Sequence, residues 1–301
     1  DITVAPLVNL WGFGFKNSEN VSQQMVDSIL QFVGYKSVSL DGEGYLHKND
    51  PRTILDASSI AKGYMSDVIA EFLQEKGVEN YMVEIGGEIA LNGVNPKGNA
   101  WSVGINKPIE DSTSVNSELQ EVIYMNKGGM ATSGNYRNFY EKDGKKYAHT
   151  IDPQTGYPIQ QDILSSTVIA EDCMTADAYA TAFMVLGKEK ALKVLEKDST
   201  LMAYFIIEGK DGEGYDIVYS PALEDRLRNS AGVSPKSSFL SKRHAAVSRR
   251  KHSDLLHFKT NIYENYKRTL SYWVRPFQQS HYGPEKSGRT IPAAPSGCFK
   301  F

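Results

Sequence analysis

An α+β fold is the class this sequence predicts, from three observations. Short apolar runs of strand length and longer helix-like runs are interspersed along the chain. They do not follow the regular strand–helix repeat of a doubly wound parallel sheet. At 301 residues and 41% hydrophobic content, the chain can bury a substantial core in one large or two small domains.

Taken in order, residues 22–33 read as a helix and 37–40 as a strand. Residues 60–76 read as a helix, where the spacing of Val68, Ile69, Phe72 and Leu73 marks an apolar face and the N-terminal end carries Ser59 and Lys62. Such an end offers unpaired N–H groups that suit a phosphate. Strands follow at 81–85, 101–105, 122–125 and 165–169, then helices at 175–186 and 188–196 and a strand at 203–207.

Two segments stand out chemically. HTIDPQTGYP (149–158) is a Pro/Gly-punctuated turn carrying His149 and Asp152, and TADAYAT (175–181) places Asp177 and Thr181 at i and i+4. On a helix that spacing sets a carboxylate and a hydroxyl on one face, with Ala176, Ala178, Ala180 and Ala182 leaving backbone carbonyls reachable. Hard oxygens in small number suit Mg2+, whose other positions go to water or phosphate. Alternatively, Asp177 caps a helix beginning at Ala178 while Thr181 bonds a backbone carbonyl. Asp152 reads as a turn former beside Pro153 and Gly156.

Four further segments, DITVAPLVNLWGFG (1–14), DASSIAKGY (56–64), EIGGE (84–88) and TSGNY (132–136), occur with these two in an order that resembles the ApbE-type FAD:protein FMN transferases. The resemblance runs from Asp1 to about Arg228 and implies an ApbE-like, T-fold-like architecture of mixed and antiparallel sheets with packed helices. It implies an enzyme that binds FAD as substrate with Mg2+ across the pyrophosphate. The FMN half would pass to a Ser or Thr hydroxyl of an acceptor flavoprotein of respiratory type, releasing AMP. By resemblance, Asp1, Asp56, Lys62, Gly86, Gly87 and Ile151 are nucleotide contacts, the last through nearby backbone. Ser59, Asp177, Ala180 (through its carbonyl) and Thr181 are the metal contacts.

Attack of a hydroxyl on a pyrophosphate builds charge on mutually repelling oxygens, so a divalent cation and Lys62 are expected to supply most of the stabilisation. The acceptor's proton needs a base, and His149 and Asp177 are the candidates. His149 ranks first, because a metal-bound carboxylate is a weak base; its alternative role is to order its loop. Hydrolysis of FAD with water as acceptor would use the same groups, and a non-catalytic flavin-nucleotide binder is the rival from another class. Trp101 reads as core, Trp11 as either core or flavin-pocket wall, with Phe13 and Phe15 beside it. Cys173 reads as a small buried hydrophobe, Cys298 forms no metal pattern with it, and His47 lies in a polar, solvated stretch.

Charge divides the chain. Residues 231–301 carry 13 Lys and Arg against 3 Asp and Glu, a charge of +10, whereas residues 1–230 carry −13. The expected division is therefore a transferase domain over 1–230 and a basic tail over 231–301, holding His244, His252, His257 and His281. The tail is expected to be disordered or without selected function, ahead of a helix over 255–274 packed on the core or an anionic-surface contact; nucleic acid ranks last. Relative to the family the front looks truncated, which would leave a strand edge and the flavin pocket incomplete. Export, to the periplasm or the outer face of the cytoplasmic membrane and often with a lipid anchor, is what the resemblance implies for location.

Overall fold

The computed structural model describes residues 1–13, 21–108, 119–135, 139–142, 145–160, 162–209 and 214–227, with backbone alone for 139–142 and 145–148. The basic tail, Phe15, Tyr136 and Cys298 lie outside the described residues. Helices α1 (Ala5–Leu10) and α2 (Gln23–Leu30) are followed by the strands β1 (Val38–Leu40) and β2 (Leu46–Lys48). Helix α3 (Ala61–Glu75) leads to the hairpin β3 (Tyr81–Ile85) and β4 (Glu88–Asn92), a second hairpin β5 (Trp101–Asn106) and β6 (Leu119–Met125), and strand β7 (Lys127–Gly134). A small hairpin, β8 (Phe139–Lys142) and β9 (Lys145–Ala148), precedes β10 (Ile163–Ala170), helix α4 (Cys173–Lys197), β11 (Met202–Glu208) and β12 (Tyr215–Tyr219).

Six of these strands form one antiparallel sheet in the order β12-β11-β10-β7-β4-β3. Both faces are buried, and the two-residue period of a strand sorts them. Val168 and Ala170 of β10 and Ala203, Phe205 and Ile207 of β11 face the α4 side with Phe183 and Met184. Ile169, Tyr204 and Ile206 point the other way, onto Val103, Ile105, Ile123 and Met125 of the β5–β6 hairpin. Helices, sheet and hairpin thus form three layers. Gly187 sits at φ 73° and breaks α4 between the two expected helices. Among the described residues, no helix is long and apolar enough to cross a membrane.

The apolar face expected on α3 packs only in part, through Leu73. Ile69 (38% exposed) and Phe72 (54%) face outward, and α3 instead buries Gly63, Ser66 and Ala70. The cause is proximity: a Cβ on Gly63 would stand 2.5 Å from the Cys173 carbonyl oxygen, so only a small-residue face fits against α4.

The helices also cap each other. Asp67 of α3 accepts from the N–H groups of Cys173 (2.9 Å) and Met174 (2.8 Å) at the start of α4, beside that helix's own cap from Asp172 to Thr175 N–H. In return, Gly63 N–H in the first turn of α3 donates to Asp177 Oδ2 on α4 at 3.0 Å. Burial raises the Asp67 carboxyl to about 6, against the lowering effect of the two N–H groups. Asp67→Ala leaves both donors without this partner and is expected to cost about 2 kcal/mol. Thermal unfolding checks this, and an unchanged midpoint would mean that Asp172 alone suffices.

Candidate functional site

A cavity of about 1280 Å³ opens between α1, the start of α3, the β3–β4 turn, β5, β7, the 149–151 loop and α4. Its wall includes Asp1, Asp56, Ser59, Lys62, Gly86, Gly87, His149, Ile151, Asp177 and Thr181, residues from segments spread over most of the described chain. Ala180 does not line it; its side chain is wholly buried in the helix-side core.

Each segment is placed by local chemistry. Gly86 (φ 60°) and Gly87 (φ 101°) are the two central residues of the β3–β4 hairpin, where a tight turn requires positive φ at both positions. Turn geometry therefore demands these glycines, and the open wall beside Lys62 comes with it. Asp1 accepts from Thr3 and from Tyr35 N–H, tying α1 to the segment after α2. Asp56 accepts from Ser58 N–H (2.8 Å) and so shapes the turn that presents Ser59. The loop after His149 closes on itself through Gly156 N–H to the Asp152 carbonyl and Asp152 N–H to the Tyr157 carbonyl, so Asp152 serves the turn. Trp11 is core: its indole donates to the Gly156 carbonyl at 2.7 Å and its ring packs on Tyr157. Phe13 both joins that cluster and lines the cavity, edge-on to His149. Trp101 packs on the hairpin-side core, and His47, at the surface, pairs with Asp41 at 2.7 Å.

The electrostatic centre is the Lys62, Glu88 and Asp177 group. Lys62 Nζ donates to Glu88 Oε1 at 2.7 Å; the lysine side chain is 48% exposed and that of Glu88 3%. Burial is the main force raising the Asp177 carboxyl to about 7; the Gly63 N–H opposes it, Glu88 adds to it and Lys62 opposes it. Burial also raises the Glu88 carboxyl, against the hydrogen bond from Lys62.

Two sequence expectations change here. Asp177 caps α3 rather than its own helix, which begins at Cys173. At the start of α3 the N–H groups of Ala61, Gly63 and Tyr64 are already taken, and the Lys62 side chain adds a positive charge there. Thr181 Oγ1 bonds Ser133 Oγ at 3.0 Å instead of a backbone carbonyl, and Thr150 Oγ1 donates to Asn135 Oδ1 at 3.0 Å. Ser133, Asn135 and Glu88 stand inside segments singled out by sequence, but nothing in their spacing assigned them a task.

For a metal, the donor chemistry fits: the Asp177 carboxylate and the Ser59 and Thr181 hydroxyls are hard-oxygen donors lining the same cavity. Among the described residues no three His, Cys, Asp or Glu side chains converge, so ligands from outside the protein would complete it. Glu88 also lines the cavity, and its Oε2 is buried without a hydrogen-bond partner.

The described residues thus form an antiparallel three-layer fold with one large cavity whose lining includes Lys62, Glu88 and Asp177. The family follows from comparison: the ApbE family model matches residues 1–205, and the chain belongs to the ApbE family. It is 44% identical over 214 residues to the FAD:protein FMN transferase of Vibrio cholerae, covering 70% of this chain and 62% of that protein. To the enzyme of the same name from Escherichia coli it is 39% identical over 232 residues, covering 75% and 64%. The solved flavin transferase ApbE from Vibrio cholerae superposes with a TM-score of 0.66 at 39% identity, over 75% of this chain and 70% of that one. The ApbE protein of Thermotoga maritima gives 0.65 at 29% identity, over 76% and 72%. The chain spans a little under two thirds of the length of these curated relatives.

Proposed function

We propose that this chain carries the nucleotide site of an FAD:protein FMN transferase, which moves FMN from FAD to a Ser or Thr hydroxyl of an acceptor flavoprotein and releases AMP. The observation that carries this reading is that Asp56, Ser59, Lys62, Gly86, Gly87, His149, Ile151, Asp177 and Thr181 all line one cavity. The names of the relatives support the flavin chemistry. Mg2+ bound by Ser59, Asp177 and Thr181 would neutralise charge that builds on the pyrophosphate oxygens. Lys62 supplies a second positive charge on the wall, the glycine turn lets nucleotide approach backbone, and His149 takes the acceptor's proton.

The test is incubation with FAD and Mg2+, with and without a Thr-containing acceptor of the respiratory flavoprotein type, following AMP and protein-bound flavin fluorescence. Acceptor-dependent covalent fluorescence is expected. AMP without it would replace the transferase with a hydrolase, and FAD binding without AMP would replace it with a carrier.

A pH dependence follows from Asp177. A carboxyl held at about 7 must lose its proton to bind a cation. Mn2+ affinity is therefore expected to fall as pH drops through 7, toward tenfold per unit, as read by titration between pH 5.5 and 8.5. A flat profile would remove Asp177 from the metal set.

A further inference from the structure

Glu88 has a position that pinning strand to helix does not explain. Ser66 Oγ already donates to the Glu88 carbonyl at 3.0 Å, fixing the start of β4 on α3. One turn back on the same helix, Lys62 reaches Glu88 Oε1 at 2.7 Å, while Oε2 is buried with no partner. The adjacent residues Lys62 and Gly63 thus join the two buried carboxylates, since Gly63 N–H holds Asp177 Oδ2. A buried carboxylate with one empty oxygen, on a cavity wall, is costly unless something from outside compensates it.

A lysine on the wall of a cation site repels the cation it must work beside, and the low dielectric of a buried wall strengthens that repulsion. We propose that Glu88 is the counter-charge that allows Lys62 and a divalent cation to share this cavity. The pair then presents no net charge to the cation, Asp177 supplies the attraction, and Lys62 remains available to phosphate. This rests on the metal reading above.

Four forms of the 301-residue chain test it by Mn2+ titration, counting free ion by electron paramagnetic resonance: wild type, Glu88→Gln, Lys62→Met and the double variant. Glu88→Gln is expected to weaken Mn2+ binding about tenfold or more and Lys62→Met to tighten it, because each removes one charge of opposite sign. The double variant should return to within about threefold of wild type. A double variant as weak as Glu88→Gln, or a Glu88→Gln chain that binds as wild type does, overturns the proposal while leaving the metal reading intact. A wild type that takes up no Mn2+ overturns both. Should Glu88→Gln not fold, the apolar pair Glu88→Met/Lys62→Met is compared with Lys62→Met alone; about tenfold weaker binding supports the counter-charge, and equal binding removes it.

Discussion

Asp177→Asn is expected to give a protein that melts above the wild type at pH 8 and has lost metal-dependent AMP release. The amide keeps an acceptor for Gly63 N–H, so the cap on α3 survives. What disappears is a buried charge. The wild-type carboxyl sits at about 7 rather than 3.8, chiefly through burial. Between these values the folded chain holds a proton that the unfolded chain has released. Stability therefore falls as pH rises through that window and stays flat above it. A shift of this size corresponds to a penalty on the order of a few kcal/mol at pH 8, which the asparagine avoids. Catalysis moves the other way: an amide is a poor cation ligand, and a loss of about 100-fold or more is expected. Thermal melts at pH 5 and 8 with an AMP assay decide the matter. A variant melting below the wild type at pH 8 would refute the burial account, and retained AMP release would refute the metal assignment.

The second large effect is expected at Gly129 on the central strand β7. A Cβ there would lie 2.2 Å from the Cys173 nitrogen and 2.3 Å from the Asp172 carbonyl carbon, backbone that cannot swing aside. Gly129→Ala must push the start of α4 off the sheet, at a cost of about 3 kcal/mol or more, or a melting point roughly 6–12 °C lower. Displacement of α4 also carries Asp177 and Thr181 away from Lys62, so FAD binding should fail together with stability. Gly42→Ala is the control, since a Cβ there meets nothing within 4 Å. Equal melting points for the two variants would show that α4 can relax around the methyl group.

These glycines also explain what the sequence could and could not disclose. Strand β3 coincides with the run expected at 81–85, and the break in α4 falls on Gly187, because apolar runs and a helix-breaking glycine are local signals. The central strand β7, KGGMATSG, has no such run and was not anticipated. Its Gly129 is dictated by the start of α4 lying on it and its Gly128 by the Ala170 carbonyl of β10, which composition does not reveal. On α3 the same close approach inverts the usual rule, so that small residues are buried and Ile69 and Phe72 are not. The motifs were legible in the sequence, and most of the residues that the resemblance nominated line one cavity. The partners that hold them, Glu88 for Lys62, Ser133 for Thr181 and Asp67 for the start of α4, depend on contacts across the fold and leave no periodic trace.

The exchanged caps between α3 and α4 tie a residue of the cavity lining directly to the backbone of a helix. The same carboxylate that would greet a ligand is the one that closes the first turn of α3, through the amide of Gly63. Anything that draws electron density from Asp177 must be felt at that amide, so its hydrogen-exchange rate and chemical shift become a built-in readout of loading. Local opening of the first turn of α3 and release of the Asp177 carboxylate are therefore one event.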